Sequence, residues 1–229
     1  ENGNRLHWHV GALNNDTAAG GATGAAAPNA DSELMYTVGA MFAGDGVKTN
    51  AQTLTEGDLD HSGRLQPVIG VNLAAGTAPN GAGATSNVQT LNIFGQIKTG
   101  SGIAGQAEYW MREDEARGST TTVDSSGWYA QASLTTKPGE GTQWGFGGRW
   151  SMVTFDQANA SIMPRPSLAG TGGGIGFPTP SGDISEGTVG VDAYYHKHKL
   201  KTQINYIFQD IKPDVGSDFT NHGLDIMFT

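Results

Sequence analysis

Cysteine is absent from the 229 residues, which rules out a disulfide framework and any thiolate metal centre. Charge is sparse as well. Asp, Glu, Lys and Arg make up only 15% of the chain, too little for a solvated, disordered segment. No stretch approaches the roughly 18 consecutive apolar residues that a membrane-spanning helix requires. That excludes a helical membrane protein and leaves strands untouched. The net charge of −9 disfavours nucleic acid as a partner. With 37% hydrophobic residues and 35 glycines, the chain is poorly suited to a helical bundle with a large core. It also carries no G-x-S-x-G, H-E-x-x-H or G-K-[ST] signature, so an enzyme is not expected. Polar residues follow Glu1 at the start, which reads as a mature form or a fragment.

What the sequence does contain is a two-residue rhythm. Successive side chains of a strand point to opposite faces, so alternation marks one apolar and one polar face. About ten such segments can be traced: Arg5 to Ala12, Leu34 to Phe42, Gln66 to Ala74, Gln89 to Lys98, Ile103 to Arg112, Gly127 to Thr135, Trp144 to Met152, Thr188 to Tyr195, Leu200 to Phe208 and Gly223 to Phe228. In the ninth, Leu200, Thr202, Ile204, Tyr206 and Phe208 share a side, against Lys201, Gln203, Asn205, Ile207 and Gln209. Ile207 is the one residue out of phase. Ten residues at ~3.3 Å each, tilted near 40°, span the ~25 Å apolar band of an outer membrane. The expectation is an all-β protein, an antiparallel transmembrane β-barrel forming a single domain over residues 1–229, located in a bacterial outer membrane.

Link lengths suggest an orientation. Short connections at Thr99–Gly102, Lys137–Gly141 and His196–His198 read as periplasmic turns. Polar links at roughly 113–126 and 154–184 read as extracellular loops, the latter containing the glycine-rich run Gly170–Gly176. The link from Gly44 to Gly63 breaks the pattern, being long on the short-turn side. Trp8, Tyr109, Trp128, Trp150, Tyr195 and Phe228 lie near segment ends on the apolar phase, as an aromatic girdle would. The competing reading is a soluble sandwich that buries the same phase in a dry core.

Several strings then resemble the closing half of the phosphate-selective porin O/P family. They are Gly127-Trp-Tyr-Ala-Gln-Ala-Ser-Leu134, Trp144-Gly-Phe-Gly-Gly-Arg-Trp-Ser151, Val189-Gly-Val-Asp-Ala-Tyr-Tyr195 and His198-Lys-Leu-Lys-Thr-Gln-Ile-Asn-Tyr206. Leu6 to Asn15, Glu56-Gly-Asp-Leu59 and Ala107-Glu-Tyr-Trp110 are similar to further landmarks of that family, in the right order. The resemblance implies a sixteen-stranded, usually trimeric porin that passes small anions, of which this chain holds the C-terminal strands and lacks some at the N-terminal side. It departs from the family in ending Phe228-Thr229 and in lacking an obvious lysine and arginine ladder.

If the apolar phase meets lipid, the other phase lines water. Its titratable residues are Arg5, His7, His9, Lys98, Glu108, Arg112, Arg149, Asp192, Lys201 and Asp225. Arg and Lys outnumber the acids there, while Asp114, Glu115, Asp124, Asp183 and Asp214 are assigned to loops or turns. Such a wall favours anions weakly, since rings of basic residues select anions. Cross-strand pairing, as between Glu108 and Lys98, is the bland alternative for these charges. A general diffusion pore for small solutes is the other channel reading. A complete ten-stranded barrel with a structural or surface-binding role is the alternative from a different class.

Two constellations bear on metals, although no cofactor is required. Asp58-Leu-Asp60-His-Ser62-Gly63 matches the first half of a calcium loop, with Ile69 where the closing glutamate belongs and Glu56 as a substitute. A solvated turn is the competing reading. His7/His9 and His196/His198 have the spacing that puts two imidazoles on one side of a strand, which needs a third ligand to hold a metal.

Overall fold

Each alternating segment becomes one strand, and the strands follow one another across a single sheet. The computed structural model describes residues 6–14, 34–44, 57–79, 85–116, 122–139, 141–155, 181–195, 200–214 and 217–228. Arg5, Glu56, the Gly170–Gly176 run and the His196/His198 pair lie outside the described residues. The strands are β1 (Leu6–Asn14), β2 (Leu34–Ala43), β3 (Gln66–Pro79), β4 (Thr85–Lys98), β5 (Ile103–Ala116), β6 (Thr122–Thr135), β7 (Gln143–Phe155), β8 (Gly182–Tyr194), β9 (Lys201–Pro213) and β10 (Phe219–Phe228). No helix occurs among the described residues. Every strand pairs antiparallel with its sequence neighbours, so the order in the sheet is the order in the chain. β1 and β10 are the two edges, and no pairing between them is found among the described residues.

Register keeps the two phases apart. Val71, Ile93, Tyr109 and Trp128 stand opposite one another on four consecutive strands, as do Asn72 and Asn92 or Gln106 and Gln131 on the other side. The apolar phase is the exposed one. Trp8 is 72% exposed and Phe228 76%, and Val191, Ile204 and Tyr206 are exposed too. The burial string of β6 steps between exposed and covered residues with period two. All ten strands of the described residues belong to one sheet. The opposite face curls inward, so that side chains from β4 through β9 line one cavity of about 250 Å³.

Strands run further than the apolar rhythm indicates. β5 continues through Asp114 and Glu115, β6 begins before Asp124, and β8 begins at Gly182 rather than Thr188. The link expected over 113–126 therefore shrinks to residues 117–121, and the link between β3 and β4 is only 80–84. Alternation of long and short links is correspondingly weaker than expected. Backbone ladders do not need apolar side chains, so strand ends carrying Asp, Glu and Ser escape a test based on hydropathy.

Many glycines are explained by the rings beside them. Gly70 faces Phe94, Gly127 faces Trp110 and Gly187 faces Phe208 in register. In each pair a Cβ on the glycine would collide with the ring, so the ring occupies the space above a bare backbone. Trp150 packs against Phe208 across Gly187, with centroids 5.3 Å apart.

Candidate functional site

The polar face is organised in three levels along the strands. We call the end bearing the 99–102, 136–142 and 195–200 links the turn end, and the other the loop end.

At mid-height the face is a hydrogen-bonded lattice of amides. Gln106 Nε2 donates to the Tyr129 hydroxyl at 2.6 Å, and Gln131 Nε2 donates to Gln106 Oε1 at 3.2 Å. The Arg149 guanidinium lies over the Tyr129 ring, 4.3 Å from its centroid, a cation–π arrangement. To one side, Asn72 donates to Asn92 at 3.1 Å and Asn92 donates to Glu108 at 2.7 Å. To the other, Lys201 donates to Gln203 at 3.1 Å and Gln203 to Asn205 at 3.2 Å. Tyr194 donates its hydroxyl hydrogen to Asp192 at 3.1 Å, and Gln209 reaches Glu186 at 3.5 Å. Asp225 stands opposite Asn205 on the edge strand. These side-chain hydrogen bonds fix the directions of the amides on the wall.

Toward the loop end, Arg112 grips Asp114 with a two-pronged bond, Nε to Oδ2 at 2.6 Å and Nη2 to Oδ1 at 2.7 Å. Asp114 is fully buried. The sequence reading assigns Asp114 to a loop; it sits two residues along β5 from Arg112, on the same face, and cancels its charge.

At the turn end, residues 57–63 fold back over the wall. Asp58 is buried and its Oδ2 accepts the Gly102 N–H at 2.9 Å. Its carbonyl accepts the Thr135 hydroxyl at 2.8 Å, and the Leu59 carbonyl accepts Gln143 Nε2 at 3.1 Å. His61 Nε2 lies 3.2 Å from the Thr135 hydroxyl. Gly63 N–H donates to the Gly100 carbonyl at 2.8 Å, which ties the segment to the β4–β5 turn. Gly57, His61 and Gly63 all have positive φ, the tight backbone needed to lay a polar segment against a sheet. Lys98 is buried at this end of β4, under the segment that carries Asp58 and Asp60.

This arrangement changes the reading of several residues. Glu108 accepts from Asn92 and stands opposite Phe94, four residues along β4 from Lys98, whose own register partner is Ala104. Lys98, Arg112, Arg149 and Lys201 on the described wall stand against Glu108, Asp114, Glu186, Asp192 and Asp225. The expected excess of basic charge is therefore absent among the described residues. Gln106, Tyr129, Glu186 and Asp114 join the wall without having been named as candidates. Strand parity carried past the last apolar residue would have found the two acids.

Metal binding finds little support in the geometry. One carboxylate oxygen of Asp58 is taken by a backbone N–H, and Ser62 Oγ is engaged with Arg64 and Gln66. His7 and His9 do share the polar phase of β1. Among the described residues no group of three or more His, Asp or Glu side chains is placed to hold a metal ion. Compared with protein-family models and with curated proteins, the chain matches none.

Proposed function

We propose that the chain is part of the wall of an outer-membrane pore of the phosphate-selective porin type, through which small hydrophilic solutes diffuse passively. The observation that carries this reading is the division of one continuous sheet into an exposed apolar face and a hydrogen-bonded polar face. In water such a greasy face over ten strands would drive association. In a bilayer it is the expected outer surface of a barrel. Open edges at β1 and β10 favour the larger barrel over a closed ten-stranded one, because unpaired backbone groups are not tolerated in lipid. Closure by further strands and assembly as a homotrimer are part of the same proposal.

The chemistry of the wall supports weak selectivity. Amides and a near-balance of acids and bases offer hydrogen bonds to polar solutes and no strong field to either ion sign. Arg149, exposed on the wall, is the cation on which a residual preference for anions would rest.

Tryptophan quenching tests the sidedness directly. Trp8, Trp128, Trp144 and Trp150 lie on the apolar phase, and Trp110 alone lies on the polar one. In vesicles with brominated acyl chains, single-tryptophan variants retaining Trp128 or Trp150 should be quenched, and one retaining Trp110 should not. Equal quenching of Trp110 would sink the proposal. Conductance across a planar bilayer is the companion measurement.

A further inference from the structure

A long link on the turn side looks like an irregularity in the sequence, and the structure gives it a place. Residues 57–63 cover the polar face where β4, β6 and β7 end. Lys98, Ala104, Thr135 and Gln143 are buried there, whereas Gln106, Gln131 and Arg149 at mid-height remain accessible. Attachment is not to one neighbour. The segment is held by the β4–β5 turn through Gly102 and Gly100, by β6 through Thr135 and by β7 through Gln143. Gly102 is required at the seat, because a Cβ there would strike the His61 ring and the Thr135 carbonyl.

We infer that residues 57–63 form a fixed constriction at the turn-side mouth of the pore, with Asp58 as its anchor and Asp60 as the charge a permeating ion meets. The inference rests on the pore reading and adds a selectivity element to it. Two features separate this segment from an ordinary surface loop. Its anchoring carboxylate is buried and spent on a backbone N–H, which holds the segment in one position. Its second acid, Asp60, is exposed on the outer side of the segment. Lys98 is buried under the segment, so Asp60 is the exposed charge of the segment itself, with Arg64 exposed just beyond it.

Absence of cysteine makes a labelling test clean. Asp60→Cys in the full-length protein is reacted in planar bilayers with a trimethylammonium or a sulfonate methanethiosulfonate reagent. Reversal potentials are read in a salt gradient, and mass spectrometry confirms that labelling is complete. A unit charge about 6 Å from the ion path in water changes its Boltzmann weight roughly three-fold. The anion gains what the cation loses, so each unit charge moves the anion-to-cation permeability ratio about ten-fold, and the two reagents, moving it in opposite directions, should differ by about a hundred-fold. Asp60→Asn, a change of one charge that leaves the anchor intact, should raise the ratio about ten-fold. Complete labelling with no change in conductance or reversal potential overturns the constriction while leaving the pore standing. A wild-type protein that does not conduct overturns both.

Discussion

Glycine 127 shows how much a single missing side chain does on this sheet. Its backbone supports the Trp110 indole, the one tryptophan directed to the polar face. Gly127→Val would push that ring off its neighbour, and overpacking of this kind costs roughly 1–3 kcal/mol. Denaturant unfolding of the detergent-solubilised protein should show that loss, and an unchanged midpoint would mean the ring has other room. Arg149 is the residue whose charge matters most at mid-height, since Arg112 is tied to Asp114 and Lys98 is buried at the turn end. Arg149→Ala should lower the anion-to-cation permeability ratio by about ten-fold, since one unit charge about 6 Å away in water changes the weights of anion and cation about three-fold each in opposite directions. Arg112→Ala also removes a positive charge and uncovers Asp114, so it should lower the ratio in the same sense; reversal potentials compare the two variants directly.

Among the elements, β5 shows both what alternation detects and what it misses. Ile103 to Arg112 is visible because Tyr109 and Met111 oppose Glu108 and Arg112. Its 14 residues rise about 45 Å, and a tilt near 40° projects about 35 Å of that across a membrane, more than the ~25 Å apolar band. The remainder stands in water under the proposed function, so nothing in its hydropathy marks it as strand. Segment 57–63 is the converse case. Its aspartates and glycines read as a calcium loop or a solvated turn, and its partners are 44 residues or more away at Gly102, Thr135 and Gln143. No local pattern encodes that seat. Asp58→Ala leaves the Gly102 N–H buried without its acceptor, at a cost of about 1–3 kcal/mol. Hydrogen exchange should then accelerate at Gly102 and through residues 57–63 and stay unchanged in β8 and β9. Protection that persists at Gly102 would show that the carboxylate does not hold the segment.

For the molecule as a whole, the decisive quantity is the environment of the apolar face. Ile93 sits on a central strand between Val71 and Tyr109 and is exposed. If lipid covers it, Ile93→Arg costs roughly 2–4 kcal/mol near the bilayer midplane. If water covers it, the same change is close to neutral or improves solubility. Unfolding from vesicles compared with micelles separates the two, and a neutral result in vesicles would remove the membrane from the account. The all-β class, the number of strands, their antiparallel succession and the phase of nearly every side chain were legible in the residues. Period-two hydropathy is a local property, and a meander pairs each strand with the next. Tertiary structure alone decided where charges cancel. Arg112 with Asp114, Lys98 with the 57–63 segment, and the open edges at β1 and β10 depend on how the sheet curls and what folds over it. Coulomb and hydrogen-bond energies fall off over a few ångströms, so distances between remote residues set them, and spacing along the chain does not contain those distances.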